Sequence, residues 1–426
     1  MKRFEASGVL LIKVTAAAVS YIFVLLLARM MAPADFGIVG ALLTGSLLLS
    51  VTGILGQRTA LLRFIPPMRK LRGDDAAQTR NMINRAFTLG LIGMMALTVV
   101  LAGALLLADS IGLRAVPWPV MAGLALIPLV GWIDMQAHLA RAWRSVVLAL
   151  VPKEILWRAF VLAGAGAVYW WGGGADLALG TVVALMIGVL VVLIMGQGAL
   201  MGRTMPRPKL DPATLRDTPE DWRRTVVPFW INGVASMFLT NADVVIVALV
   251  LGGEPAAYYF AANRVAMLCH FFMMSHNIVV GPQVAAAWHA GERDKVQTMV
   301  RRATVQAFVP TVILAVLLAA FAPQVLALFG SGFEDATDIL YLLVLSASVN
   351  AALGPAMLVL DMCGHEKLSM LINSVSVILG IPALVVGAFY FGSNGAAIMV
   401  LTLGIGIKFA SFRSLRRITG IKSTIF

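Results

Sequence analysis

The chain has 426 residues, of which 60% are hydrophobic and only 13% charged, whereas soluble domains average about 25% charged residues. This composition excludes a soluble globular protein and indicates one polytopic membrane protein. In a membrane protein, the net charge of +12 is explained first by basic residues that set the orientation of the spans. Nucleic acid is therefore not expected as a partner.

Apolar runs of about 20 residues recur along the chain between short breaks rich in charge, Gly or Pro. Twelve such runs are predicted as membrane spans, which defines an all-α polytopic protein. Their approximate limits are 6–30, 36–62, 86–108, 116–138, 146–170, 176–200, 225–251, 256–286, 303–321, 336–361, 368–391 and 394–412.

The positive-inside rule supports this number of spans and predicts that both termini are cytoplasmic. With that orientation, 26 of the 33 Lys and Arg residues fall in cytoplasmic segments, and the outer loops hold only Arg29 and Arg114. The remaining five cations lie inside predicted spans. An odd number of spans would destroy this alternation, so an even number is favoured.

The longest hydrophilic segment, residues 201–224, contains four prolines and is predicted to be a cytoplasmic linker. It separates an N-terminal six-helix lobe at residues 1–200 from a C-terminal six-helix lobe at residues 225–426. The halves share weak internal similarity, as between Pro33–Gly37 and Pro255–Tyr259. Parallel repeats of this kind predict two pseudo-symmetric lobes around a central cavity.

The five embedded cations require an explanation, because a charge at mid-bilayer costs about 2.5–3.5 kcal/mol on insertion scales. Lys13 and Arg58 lie at similar shallow depth, where snorkelling to the inner headgroups is the alternative to lining a cavity. Arg158 lies about 18 Å from the start of the fifth span. It can pair with Glu154 one helical turn earlier, whereas Lys153 has no evident partner in the sequence.

In the second half, Asp243 and Arg264 lie equally far from a tight turn at Gly252–Gly253. Two antiparallel helices joined there would bring the two side chains to the same depth, so a salt bridge is predicted. It is either purely structural or open to competition from an anionic ligand. Asn263 could hydrogen-bond a sugar or simply pack.

The embedded cations outnumber the embedded acids Asp134, Glu154 and Asp243. Surplus positive charge in a cavity suits an anionic substrate, since arginine grips phosphate in a bidentate way. The proposed substrate-binding set is Lys13, Arg58, Lys153, Arg158, Asn263 and Arg264, with Asp243 and Glu154 in ion pairing or coupling.

Catalytic chemistry is not indicated anywhere in the sequence. No nucleophile elbow, phosphate loop or metalloprotease motif occurs. The five histidines lack metal-ligand spacing, and Cys269 and Cys363 lie in or beside apolar stretches. We therefore expect no enzyme activity, no metal and no cofactor.

Six segments along the chain form a pattern of loose motifs: Leu26–Gly37, Leu55–Gln57, Arg63–Pro66, Asn241–Val265, Leu328–Phe333 and Gly395–Ile398. In their order and spacing they resemble bacterial polysaccharide transporters, the O-antigen flippase (Wzx-type) family of the multidrug/oligosaccharidyl-lipid/polysaccharide exporter superfamily. It covers essentially the whole chain, although Phe36 and Ala257 replace the Tyr and Gly common in the family.

The resemblance implies a transporter that moves undecaprenyl-diphosphate-linked oligosaccharide from the inner to the outer leaflet by alternating access. It also implies a location in the bacterial inner membrane, and a role in O-antigen, lipopolysaccharide or exopolysaccharide synthesis. A polymerase and a chain-length regulator are the expected protein partners of a monomeric transporter. The alternatives are an ion-coupled drug exporter, a membrane enzyme of polysaccharide assembly, and a non-transporting scaffold.

Overall fold

The computed structural model describes residues 2–68, 74–112, 115–143, 145–203, 205–206, 208–215 and 220–424. Within these residues the chain is helical and contains no strand. It divides into two compact units, Met1–Met237 and Phe238–Phe426, and each is described by itself.

In the described residues, unit 1 holds nine α-helices and the first part of a tenth. They are α1 Lys2–Met30, α2 Pro33–Gly53, α3 Gln57–Met68, α4 Asp74–Ser110, α5 Trp118–Gly123, α6 Leu126–Ala142, α7 Val146–Val151, α8 Trp157–Trp171, α9 Leu179–Met201 and α10 Glu220–Leu251. A π-helical turn, Pro152–Leu156, joins α7 to α8 without a break.

Unit 2 begins within α10 and contains six further helices. They are α11 Gly253–His289, α12 Arg293–Ala320, α13 Ala322–Ala327, α14 Thr337–Ala352, α15 Ala356–Met362 and α16 Glu366–Thr419. The helix α16 is two spans in one, because Gly392 has non-helical backbone angles (φ 62°, ψ −154°).

The described helices agree with the twelve predicted spans. Nine of them are long and apolar enough to cross a membrane. A tenth span is the bent pair formed by α14, together with the 3-10 turn Phe333–Ala336 before it, and by α15. Dividing α16 at Gly392 gives an eleventh. The continuous run from α7 through α8, residues 146–171, supplies the twelfth.

The second predicted span is not one straight helix, because α2 and α3 are separated at residues 54–56. Leu55 has φ 53° and Gly56 φ 74°, and a bulky residue at positive φ is a rare conformation. At the break the carbonyl oxygen of Thr52 accepts the backbone N–H of Leu55 at 3.3 Å and the indole N–H of Trp230 at 2.9 Å. The start of α10 is thereby attached to the break within unit 1.

The part of the predicted linker that the structure describes is packed on unit 1. The backbone N–H of Lys209 donates to Asn84 Oδ1 at 2.8 Å, and that of Asp211 donates to Thr88 Oγ1 at 3.0 Å. Residues 204, 207 and 216–219 lie outside the described part. The boundary between the units falls at Met237, beyond the linker, and the lobe limits given above stay a prediction.

In unit 2 the segment after α16, Gly420–Thr424, packs against the break between α14 and α15. Thr304 Oγ1 donates to Ser423 O, and Ser423 Oγ donates to Leu353 O, both at 2.9 Å. A Cβ on Gly354, which has φ 69°, would lie 2.1 Å from Ser423 O. Only glycine therefore fits at this position.

We expect Gly354→Ala to lower the thermal unfolding midpoint of the purified protein in detergent. The backbone strain costs about 1–2 kcal/mol, and the clash with Ser423 O adds about 1–3 kcal/mol. Gly364→Ala is the matched control, because Gly364 also has positive φ (84°) but open space around it. Equal destabilisation by the two substitutions would contradict the packing of the 420–424 segment.

Candidate functional site

The centre of the site in unit 1 is the carboxylate of Asp134 on α6. The residue is buried, with 2% of its surface exposed. Its Oδ1 contacts the ammonium of Lys153, and its Oδ2 lies 3.8 Å from the guanidinium of Arg58. Lys153, for which the sequence offers no evident partner, is therefore paired with Asp134 in the structure.

His138 lies one helical turn after Asp134 and faces the same carboxylate. Its Nδ1 is 2.8 Å from the backbone carbonyl oxygen of Asp134 and 3.6 Å from Asp134 Oδ1. A carbonyl oxygen only accepts hydrogen bonds, so Nδ1 carries a proton. In the neutral ring Nε2 is then the acceptor.

The π-helical turn aims two consecutive side chains at different helices. Lys153 reaches Asp134 on α6, whereas Glu154 reaches Lys13 on α1, with Nζ to Oε1 at 3.5 Å. π-Turns are rare and occur frequently at functional sites. Here the irregular turn connects the two ion pairs into one group.

Arg158 is held by the backbone of the π-turn rather than by the side chain of Glu154. Its guanidinium donates to the carbonyl oxygen of Glu154 at 2.6 Å and lies over the ring of Trp157, 4.9 Å from the centroid. The predicted i, i+4 partners are thus in contact, but the bond is to the main chain. The carboxylate of Glu154 remains with Lys13.

Arg58 owes its position to the break between α2 and α3. It lies in the first turn of α3, and one of its terminal nitrogens is 3.4 Å from where a Cβ on Gly233 would be. Any side chain at Gly233 would crowd the guanidinium. At 3.8 Å the contact with Asp134 exceeds hydrogen-bond distance, so Arg58 can direct its donors to a ligand.

These side chains form a cluster with surplus positive charge, which we call the cationic cluster. It consists of Lys13, Arg58, Asp134, Lys153, Glu154 and Arg158. Four cations face two carboxylates, which leaves a net charge of +2 when His138 is neutral. Of the predicted site residues, four cations and Glu154 are brought together here.

The remaining predicted site residues lie in unit 2. Asp243 Oδ2 accepts hydrogen bonds of 3.0 Å from the hydroxyl of Tyr259 and from Nδ2 of Asn263. The guanidinium of Arg264 lies over the ring of Phe260, 4.6 Å from the centroid, and also contacts Met267 Sδ at 3.5 Å.

These contacts concern the predicted pairing of Asp243 with Arg264 across the α10–α11 turn, which stays a prediction. The turn does bring partners from α11 to Asp243, but the hydrogen bonds to the carboxylate come from the neutral donors Tyr259 and Asn263. The charge of Arg264 also acts on this carboxylate. Tyr259 was not among the predicted site residues.

Sequence reasoning also missed Asp134 as the centre of the cluster, although a signal was present. Asp134 lies nine residues before Trp143 and Lys153 nine residues after Arg144, on either side of the turn between α6 and α7. Equal distance from a tight turn was the argument used for Asp243 and Arg264. Applied here, it predicts the pair that the structure shows.

The comparisons with known proteins point to one superfamily. The family model described as polysaccharide biosynthesis protein matches residues 6–288, and the MatE model matches residues 228–386. No curated protein matches the chain in sequence.

Solved structures share the fold over nearly the whole chain. An inward-facing multidrug resistance MATE family transporter of the MOP superfamily has a TM-score of 0.76 at 15% identity, covering 95% of this chain and 94% of that one. The lipid II flippase MurJ, in an inward closed conformation, has a TM-score of 0.74 at 13% identity, covering 96% and 87%. The Vibrio cholerae MATE transporter VcmN, as a D35N mutant, has 0.63 at 16%, covering 96% and 95%.

At such low identity the structures show a common fold, whereas the first family model covers more than half of the chain. The chain belongs to the polysaccharide biosynthesis protein family and has the membrane-transporter fold of the MOP superfamily.

Proposed function

We propose that the protein is a flippase for a lipid-linked oligosaccharide, moving an undecaprenyl-diphosphate-linked glycan from the inner to the outer leaflet by alternating access. The observation that carries this proposal is the net charge of +2 in the cationic cluster of unit 1. The family to which the chain belongs, and the fold that the chain shares with a lipid II flippase, support the same function.

The cluster matches the chemistry of a diphosphate in charge and in geometry. Arginine presents a planar fork of donors that fits phosphate oxygens, and its charge persists at all physiological pH values. Arg158 uses one nitrogen on the Glu154 carbonyl, and Arg58 is held loosely by Asp134. Both guanidiniums therefore retain donors for an anionic ligand.

The two carboxylates have a second role in this proposal, because they hold the cations in place. Four cations without counter-charges would repel one another and would be costly within a membrane protein. Asp134 and Glu154 reduce this cost and leave a surplus of two positive charges, which a dianionic group can neutralise. An anionic ligand can therefore bind without displacing either carboxylate from its cation.

The proposal is tested with proteoliposomes that contain the purified protein and an undecaprenyl-diphosphate oligosaccharide with a radiolabelled sugar. Transport is the fraction of label that becomes accessible to a membrane-impermeant glycosidase. We expect Arg158→Gln to slow transport about tenfold or more, which corresponds to the loss of one charge-assisted hydrogen bond. Without the Arg158 charge, Asp134 still pairs with Lys153 and Glu154 with Lys13, so folding should be retained.

Arg80→Gln is the matched control, because Arg80 is an exposed arginine of α4 in the same unit. Wild-type transport by Arg158→Gln would contradict the role of the cationic cluster. If the wild-type vesicles export a cationic dye under an ion gradient but leave the lipid-linked glycan in place, the drug-exporter alternative is correct instead. If neither the dye nor the glycan moves, the result favours a non-transporting scaffold.

A further inference from the structure

Unit 2 contains a basic cleft of about 960 Å³, formed by the start of α12 and the segment after α16. Its charged lining residues are Arg301, Arg302 and Lys422, and its polar ones include Gln297, Thr298 and Gln306. Among the described residues that line the cleft there is no carboxylate. The three cations thus have no counter-charge among the described lining residues.

The wall formed by the segment after α16 is built into the structure. Gln297 and Lys422 exchange two hydrogen bonds, from Gln297 Nε2 to Lys422 O at 2.9 Å and from Lys422 N to Gln297 Oε1 at 2.8 Å. The neighbouring Ser423 is fully buried. The backbone of Lys422 is thus fixed opposite α12, while its side chain remains exposed.

An apolar stripe continues along α12 from the cleft. Val305 lines the cleft itself, and Val309, Ile313 and Val316 follow at helical spacing on the same face. All four are exposed, with exposed fractions from 41% at Val305 to 61% at Val316. From Val305 to Val316 the helix rises about 16 Å, which is close to one leaflet of a hydrocarbon core about 30 Å thick.

We propose that this cleft binds the phosphate headgroup of an anionic phospholipid, with one acyl chain lying along the Val305–Val316 stripe. The arginine forks and Lys422 supply charge for the phosphate, and the amides and hydroxyl supply hydrogen bonds to the rest of the headgroup. The apolar stripe favours a lipid over a free phosphate ion. The predicted topology assigns the site to the cytoplasmic leaflet, where basic pockets attract anionic lipids.

The test measures the thermal unfolding midpoint of the full chain in detergent as lipid is added. Phosphatidylglycerol is expected to raise the midpoint, whereas phosphatidylcholine, glycerol 3-phosphate and inorganic phosphate should raise it little. The variant Arg301→Gln/Arg302→Gln/Lys422→Gln should bind phosphatidylglycerol about tenfold more weakly or worse. Native mass spectrometry of the same samples counts the lipids retained.

The matched control neutralises three other exposed cations of unit 2, as Lys367→Gln/Arg413→Gln/Arg417→Gln. It makes the same change in charge outside the cleft and should keep the lipid response. A second variant, Gln306→Trp, places a bulky side chain in the cleft wall without removing charge and should weaken the response. An equal response to inorganic phosphate, or equal losses in the control and cleft variants, would overturn the proposal.

Discussion

Asp134→Asn is expected to lower the free energy of unfolding by about 3 kcal/mol or more, because it removes the counter-charge of two cations at once. Lys153 contacts Asp134 Oδ1 and Arg58 lies 3.8 Å from Oδ2, while the Asp134 side chain is only 3% exposed. An amide at this position cannot neutralise either cation. The measurement is thermal unfolding of the purified variant in detergent, with yield from membranes as a second readout.

A double-mutant cycle separates this effect from a general loss of packing. Lys153→Met removes one of the stranded cations, so Asp134→Asn/Lys153→Met should be more stable than Asp134→Asn alone. Asp176→Asn is the control, because Asp176 is an exposed acid of the same unit. If the two substitutions change the free energy of unfolding additively, Asp134 and Lys153 do not interact. Asp134 would then not be the centre of the cationic cluster.

Gly93→Ala is the second substitution for which we expect a large effect. A Cβ on Gly93 would lie 2.2 Å from the carbonyl oxygen of Gly53 and 2.9 Å from the Leu55 side chain. The helices α2 and α4 approach each other here, directly before the break that positions Arg58. Since the nearest obstacle is backbone, the cost should be at the upper end for overpacking, about 3 kcal/mol.

Gly103→Ala on the same helix is the matched control, because no atom lies within 4 Å of its added Cβ. Alanine is the better helix former, so this control should be neutral or slightly stabilising. Gly93→Ala should also reduce transport by the folded fraction in the proteoliposome assay, since a shifted α2–α3 break moves Arg58. A stable and fully active Gly93→Ala would contradict the close approach of α2 to α4.

The membrane fold and its spans were predictable because hydrophobicity acts over whole segments. About 20 apolar residues are needed to cross the bilayer wherever they occur in the chain, and the twelve predicted spans match the described helices. Irregularities inside spans were not predictable in the same way. The break at Leu55 and the π-turn at Pro152–Leu156 depend on packing partners that are distant in sequence.

The charged residues inside the spans were predictable as a set, but their pairing was not. A cation inside a span is conspicuous in any sequence, because a charge there costs free energy. Its partner depends on helix rotation and on the exact depth of two segments. By its spacing Arg158 can pair with Glu154, and in the structure it bonds the Glu154 carbonyl oxygen, since the π-turn directs the carboxylate to Lys13.

The sequence by itself determined that this protein is a multi-span membrane protein with a surplus of embedded cations. Both properties follow from composition and from spacing along one chain. Only the tertiary structure decided that Asp134 joins Arg58 to Lys153 and that Glu154 joins Lys13 to the same cluster. Ion pairs between helices require side chains separated by 19 to 141 residues in sequence to meet within a few ångströms, and the packing of the helices sets that distance.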